Sequence, residues 1–399
     1  MHTYTIRSNY EEIQISFKTT LIMRKIFFLI LSIVAFVTQS NSQDYNIMLK
    51  IDGIKYDTAI IGFLSVENSD DEIQDTVIIS NGILEYSFKR PGLYEGIIIP
   101  FKLIHQFEGG DKFPLVPSRI HFYINQGDFI KIDATEVGKS VTYRTTGNNL
   151  SEQRAEADLY FRNSGLYIER IEFEHHYYKK KYDQWTKEEN KKYWKLRNQN
   201  DSIYALRRDE FILNHLNYGY SARLILEIKD KQKATFLYDK LTTEAKESYF
   251  GKVLTSMING WVITEPGSTF PSFIGKTLAG ETFNLSDYKG KYVLLDFWGS
   301  WCAPCIAELP QLKKVQSEFK DRLVVVGMIC NDSKQKVNKA IDKYKINWIQ
   351  LFDEKNKFPA TYGVKSFPTK VLIDKNGVVV KTFQGTSEQV FLELERILK

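Results

Sequence analysis

The stretch Tyr292-Val-Leu-Leu-Asp296-Phe-Trp-Gly-Ser-Trp301-Cys302-Ala-Pro304-Cys305-Ile-Ala-Glu308-Leu-Pro310 decides the fold. Its first half, Tyr292–Phe297, is a near-continuous apolar run, the pattern of a parallel strand covered on both faces. Proline is tolerated in the first turn of a helix and not in its interior, so Pro304 sets a helix start at Cys302 or Ala303. Cys302 thereby stands on a helix N-terminus, where unpaired N–H groups and the macrodipole favour the thiolate, the nucleophilic form of cysteine. Cys305 returns to the same face one turn later, near enough to close a disulfide. One sulfur can attack and the other resolve.

Other uses of these residues fit less well. A structural zinc site needs four ligands, and this region offers the Cys302/Cys305 pair plus Cys330, with no histidine after His215. A Cys-His hydrolase lacks the same histidine unless an earlier domain lends one. A purely structural disulfide closing so short a loop would stabilise little. Three cysteines in 399 residues form no disulfide framework. Cys330 ends the apolar run Leu323–Ile329 and has no partner in the motif, so it reads as a small buried hydrophobe.

Working outward, the composition changes after Thr264-Glu265-Pro266-Gly267. Leu323–Ile329 is a second apolar strand, and Cys302–Lys320 and Ser333–Tyr344 read as helices. Lys370–Ile373 and Val378–Phe383 flank the turn Asp374-Lys-Asn-Gly377, and Ser387–Leu398 is a last helix with Ser387 as N-cap. Residues 266–399 are therefore expected to be an α/β domain, a mixed central sheet with helices on both faces. Residues 150–265 contain charges and apolar residues at helical steps (Ile203, Leu206, Leu213, Leu216, Tyr220), which predicts a helical segment. Within it, Lys179-Lys180-Lys181 and Lys187–Arg197 read as a solvated face with aromatic side chains turned inward rather than a dock for an acidic partner. His175 and His176 lie beside Glu172 and Glu174, but adjacent helix residues point about 100° apart, so no metal site is expected. Residues 43–149 show short alternating runs broken by turn dipeptides. Thr76–Ser80 and Ile83–Phe88 flank Asn81-Gly82, a strong hairpin signal, and Gln126-Gly127-Asp128 separates two further runs. An antiparallel, sandwich-like β domain is expected there.

Lys and Arg number 54 against 49 Asp and Glu, a net charge of +5 that gives no electrostatic footprint for nucleic acid. Hydrophobic content of 43% with ten prolines excludes a disordered or collagen-like chain. Residues 1–42 carry an address: Arg24-Lys25, the apolar run Ile26–Val37, then small polar residues up to Ser42. That is a signal-peptide layout, too short to span a bilayer. Met23 stands directly before the basic pair, so residues 1–22 read as an upstream start or a lengthened leader. No cysteine follows the run, which argues against a lipoprotein.

The segment Asp296-Phe-Trp-Gly-Ser-Trp-Cys-Ala-Pro-Cys305, followed by Glu308-Leu-Pro310 and Phe367-Pro368-Thr369, resembles the thioredoxin superfamily, and within it the exported TlpA/ResA-like thiol-disulfide oxidoreductases with a redoxin-like C-terminal domain. The likeness covers about residues 266–399, and the region ahead of it is only loosely similar to the N-terminal part of such proteins. It implies a thioredoxin fold, Cys302 as nucleophile and Cys305 as resolving thiol. Pro310 is implied as a helix kink, and Ser333–Phe352 as the family's extra helix and strand. Pro368 is implied as a cis-proline facing the sulfurs, with Trp301 and Phe367 at an edge where a client polypeptide pairs like a strand. Both the thioredoxin-like Asp296 and the TlpA/ResA-like Glu308 are present as proton acceptors, and the resemblance favours Glu308 for the larger effect. No cofactor is implied beyond the redox-active disulfide Cys302–Cys305.

The resemblance thus implies an extracytoplasmic oxidoreductase acting on protein disulfides and supplied by a membrane thiol donor. Ala303-Pro304 lacks the histidine of strongly oxidising relatives, which points to a reductant. The alternatives are a thiol peroxidase on the same fold, whose Thr-x-x-Cys setting Trp301 does not match, and a binding or assembly module whose redox centre is secondary. The sequence sets no oligomeric state. Processing near Ser42–Gln43 is expected from the small residues Ser40 and Ser42. Intact mass of the exported protein checks it, and a mature chain retaining residues 26–37 would remove the soluble-export assignment.

Overall fold

The computed structural model describes residues 45–68, 71–106, 112–114, 118–138, 140–163, 185–353 and 355–399. The leader and the His175-His176 and Lys179–Lys181 readings lie outside these residues. Tyr45–Lys399 forms one compact unit.

Ten strands come first: β1 (Ile47–Asp52), β2 (Tyr56–Ser65), β3 (Glu72–Ser80), β4 (Ile83–Tyr86), β5 (Tyr94–Pro100), β6 (Ile104–Gln106), β7 (Lys112–Pro114), β8 (Ile120–Ile124), β9 (Ile130–Val137) and β10 (Ser140–Thr146). Strands β6 and β7 pair with each other, and the other eight form one sheet in the order β10-β9-β1-β4-β3-β2-β5-β8. The hairpin expected at Asn81-Gly82 joins β3 to β4, with both residues at positive φ (53° and 77°). Glycine is required there, because a Cβ on Gly82 would lie 2.8 Å from the Ile51 carbonyl oxygen. Inward residues of every strand of this sheet, among them Leu49, Phe63, Phe122 and Ile132, share one core.

The sandwich expectation is met as a β-rich domain and corrected in its pairing. One continuous sheet curls until its edges approach, where the His121 N–H of β8 donates to Tyr143 Oη of β10 at 3.1 Å. Helix α1 (Asn149–Asn163) packs against both edge strands. The pair β1–β9 is parallel. Parallel neighbours need a long crossover, here all of β2–β8, and no local sequence signal reports a pairing so distant.

The helical segment follows as α2 (Lys187–Asn214), α3 (Gly219–Ile225), α4 (Lys231–Lys240), α5 (Thr243–Glu247) and α6 (Tyr249–Ile263). Thr186 starts α2 through a reciprocal capping box with Glu189. The buried side of α2 differs from the stripe that the spacing suggests. Tyr193, Phe211 and Ile212 are buried, whereas Leu206 is 70% exposed. These helices share a core with Leu93 and Tyr123 of the β domain.

The C-terminal part begins with a small hairpin, β11 (Ile274–Lys276) and β12 (Thr282–Asn284). Its main elements are β13 (Tyr292–Trp298), α7 (Ala303–Glu318), β14 (Leu323–Ile329), α8 (Lys334–Tyr344), β15 (Ile349–Phe352), α9 (Phe358–Thr361), β16 (Thr369–Ile373), β17 (Val379–Gln384) and α10 (Glu388–Leu398). The sheet order is β15-β14-β13-β16-β17, parallel from β15 to β13 and antiparallel from β13 to β17. Helices α7, α8 and α10 cover one face. The other face meets Phe270, Phe283, Tyr362 and, at the end of α6, Ile263. Strand β13 is therefore central and buried on both sides, and its C-terminal end delivers the chain to Cys302.

Two hydrogen bonds tie the helical segment to the loop before β16. Trp261 Nε1 donates to Gly363 O at 2.9 Å, and Lys365 Nζ donates to Ile228 O at 2.6 Å while lying over the Trp261 ring. Replacing this buried indole by alanine removes both packing and a bond. Trp261→Ala is expected to lower stability by about 3 to 5 kcal/mol, seen as a lower urea midpoint. An unchanged midpoint would show that this brace carries no load.

Candidate active site

Helix α7 begins at Ala303 with Pro304 in its first turn, and Cys302 is its N-cap, extended at φ −84° and ψ 92°. Cys302 Sγ accepts the Cys305 N–H at 3.2 Å, satisfying one of the orphan donors of the first turn. The two sulfurs are bonded at 2.01 Å with Cα atoms 5.3 Å apart. In this oxidised form both are enclosed, Cys302 at 1% and Cys305 at 2% exposure. Pro310 lies inside α7, where it cannot donate to the Ile306 carbonyl.

The loop between β13 and α7 is held from below. Asp332 accepts the Ser300 N–H at 2.5 Å, and the Trp301 indole donates to Cys330 O at 3.1 Å. A Cβ on Gly299 would meet Trp301 Nε1 at 2.4 Å, so the indole can seat there only over glycine. Trp301 meets Phe367 edge to face at 5.3 Å, and both pack against the cluster that contains the two sulfurs. The Phe367–Pro368 peptide is cis. The contiguous Trp301–Cys305 stretch and the Phe367–Pro368 peptide thus come from two separate segments to one place.

One turn along α7 from Cys305, Glu308 belongs to a buried charged cluster. Asp296 on β13 stands opposite Lys370 on β16 in antiparallel register. Lys370 Nζ lies 3.1 Å from Asp296 Oδ1 as an ion pair and donates to Glu308 Oε1 on α7. All three side chains are buried, Lys370 at 1% exposure. Burial pushes the Glu308 carboxyl up, the Lys370 ammonium pulls it down and Asp296 pushes it up again, leaving it at about 7. Burial opposes the Lys370 charge, but Asp296 and Glu308 outweigh it and hold the ammonium above its ordinary value. The second Glu308 oxygen, Oε2, is buried with no hydrogen-bond partner among the described residues. This carboxyl can exchange a proton near neutral pH.

The two carboxyls singled out from the sequence are thus brought together. The third member, Lys370, is not among the residues singled out from the sequence, where it stands only as the first residue of the stretch Lys370–Ile373 flanking a turn. A signal existed: like Asp296 in β13, Lys370 interrupts a strand buried at every position. Cys330 is a free, fully buried thiol, its Sγ donating to Met328 O at 3.3 Å. Burial foremost, then the charges of Asp296 and Asp353, push this thiol well above its usual range. Among the described residues no group of three or more His, Cys, Asp or Glu is arranged to hold a metal.

Residues 265–398 match the family model described as redoxin. The chain is 38% identical over 132 residues to a thioredoxin-like protein, YneN, of Bacillus subtilis, covering 32% of this chain and 77% of that protein. It is 34% identical over 136 residues to the thiol-disulfide oxidoreductase ResA of Bacillus thuringiensis, covering 34% of this chain and 78% of that one. A solved thioredoxin domain of a thiol-disulfide oxidoreductase from Bacteroides vulgatus is 30% identical, covering 34% of this chain and 99% of that chain with a TM-score of 0.32.

An enclosed thiol whose Sγ faces a backbone carbonyl has no sulfur to pair with while Cys302 and Cys305 hold each other. Thiol counting on the denatured, oxidised protein should give one free group per chain. A count of zero would place Cys330 in a bond between chains or in an oxidised form.

Proposed function

Because this chain belongs, through residues 265–398, to the redoxin family of thioredoxin-like thiol-disulfide oxidoreductases, we propose that it reduces protein disulfides outside the cytoplasm through a Cys302/Cys305 dithiol cycle. The observation that carries this reading is the disulfide closed across the first turn of α7, with Cys302 as the N-cap. In the reduced protein the helix end favours the Cys302 thiolate. That thiolate attacks one sulfur of a client disulfide, a mixed disulfide forms and the first client thiolate leaves. Cys305 then loses its proton and its thiolate attacks Cys302 Sγ, expelling the second client thiolate. The client has gained two electrons and leaves as two thiolates, which take their protons from solvent, and the protein holds the Cys302–Cys305 bond.

Return to the dithiol requires a donor of the same chemistry, a membrane-held thiol carrier. The edge formed by Trp301, Phe367 and cis-Pro368 supports docking of an extended client, since a residue without an N–H beside an aromatic ledge leaves room for a passing strand. The basic and apolar leader supports export. No helix among the described residues is long and apolar enough to cross a membrane. We read residues 43–149 as the β domain, 150–265 as the helical segment and 266–399 as the redox domain that they brace.

Cys305→Ser should accumulate mixed disulfides with other proteins, because the attacking sulfur remains and the resolving one is gone, whereas Cys302→Ser should accumulate none. Non-reducing gels of the exported variants separate the two. Equal reduction of a model disulfide by both variants and the parent would sink the oxidoreductase reading.

A further inference from the structure

We propose that Lys231 and Lys365, which meet at the Trp261 indole beside the client edge, form a cationic subsite that takes an acidic side chain of the client polypeptide, so that the protein selects disulfides flanked by Asp or Glu. This rests on the dithiol cycle and the client edge proposed above and names the class of client they serve.

The two ammonium groups come from distant parts of the chain. Lys231 is the first residue of α4, and its Nζ lies 5.7 Å from the centre of the Trp261 ring. Lys365 Nζ lies 4.8 Å from the same ring, on the loop that runs through Ser366 into Phe367 and cis-Pro368. Both residues are half-buried and so within reach of an incoming group. Lys365 gives one of its three N–H donors to Ile228 O. Lys231 makes no hydrogen bond or ion pair with the described residues. The Arg208 guanidinium adds a third positive charge, close enough to act against the Lys365 ammonium. The acidic groups of this corner are engaged elsewhere. Asp209 is held by Arg208 at 3.1 Å and by Lys233, and Asp230 accepts the Lys233 N–H as the N-cap of α4. Glu265 attracts Lys231 from beyond ion-pair distance.

The arrangement is unfavourable for the protein alone. Lys231 and Lys233 stand in the first turn of α4, which holds no acidic residue, so they face the positive end of the helix dipole. Burial first, and then the charges of Arg208 and Lys231, bring the Lys365 ammonium down to about 8. Departures from local rules of this kind concentrate at functional sites. A carboxylate seated at the two ammonium groups relieves both the like-charge opposition and the helix end. Position supplies the link to the client. Lys365 stands two residues before Phe367, and an extended chain advances about 3.3 Å per residue, so a client strand pairing along Phe367 passes the subsite about two to four residues from its reacting cysteine. A side chain there meets two cations, which attract Asp or Glu and repel Lys or Arg.

The test uses the full-length protein, reduced beforehand, and synthetic peptide disulfides that differ only in carrying Glu, Gln or Lys about two to four positions from the cysteine on either side. The second-order rate constant of reduction should fall in the order Glu, Gln, Lys, with Glu ahead of Lys by about three- to tenfold at low salt. The spread should shrink as ionic strength rises. Lys231→Glu should invert the order. Lys240→Glu, the same change in net charge at the other end of α4, should keep it. Equal rate constants for the three peptides with the parent overturn the proposal and leave the dithiol cycle standing, since all three are then reduced, whereas reduction of none overturns both. A Lys231→Glu protein that keeps the parent's order, or a Lys240→Glu protein that inverts it as well, also overturns the proposal. If Lys231→Glu does not fold, Lys231→Gln takes its place, and an undiminished spread in that variant overturns it.

Discussion

The constraint on which the site depends is the burial of Cys305. In the disulfide form Cys305 is 2% exposed, and for a thiol enclosed in this way desolvation makes loss of a proton costly. Close to it three charged side chains are paired in a core where an unpaired charge would be prohibitive. Each comes from a different element: Asp296 from β13, Glu308 from α7 and Lys370 from β16. They converge because β13 is the central strand, with β16 beside it and α7 across its face.

The outer side of the disulfide is built by different means. Asp332, Cys330 O and Gly299 fix the loop that carries Trp301, and the indole in turn supports Phe367 next to the cis peptide. The helical segment reaches the loop before β16, which carries Phe367, through Trp261 and Lys365. Lys365 is held down to about 8, first by burial and then by the charges of Arg208 and Lys231, a cation placed for its hydrogen bond to Ile228 O rather than for ease of ionisation. The β domain joins the helices through another polar network. Arg154 of α1 binds Asp158 at 3.2 Å and Tyr220 of α3 at 2.5 Å, and Tyr143 of β10 donates to Asp158. Such networks are strong only when completed, which ties the sheet, α1 and α3 to one arrangement.

Local features were legible in the sequence and distant ones were not. Pro304 located the start of α7 to within a residue, Asn81-Gly82 located a hairpin, and Ser387 located the cap of α10, because each acts on the backbone beside it. The sulfurs and both carboxyls were legible through the motif that contains them. The parallel β1–β9 pair was not, since its register is set by a core assembled from all eight strands of the sheet. Lys370 escaped for a related reason: its partners lie 62 and 74 positions earlier, and only the β13–β16 register brings them opposite one another. The buried face of α2 was misjudged because spacing reports a stripe without saying which stripe meets the neighbours. Phe211 and Ile212 meet them, and Leu206 does not.

The dithiol cycle is tested most sharply by an equilibrium titration of the protein in graded mixtures of reduced and oxidised glutathione, followed by indole fluorescence, since Trp301 adjoins the disulfide. One reversible transition of two-electron steepness, about 30 mV per tenfold change in the equilibrium, is expected, and it should be absent from Cys302→Ser. A response that is flat across the potential range, or a transition that persists in Cys302→Ser, would contradict it.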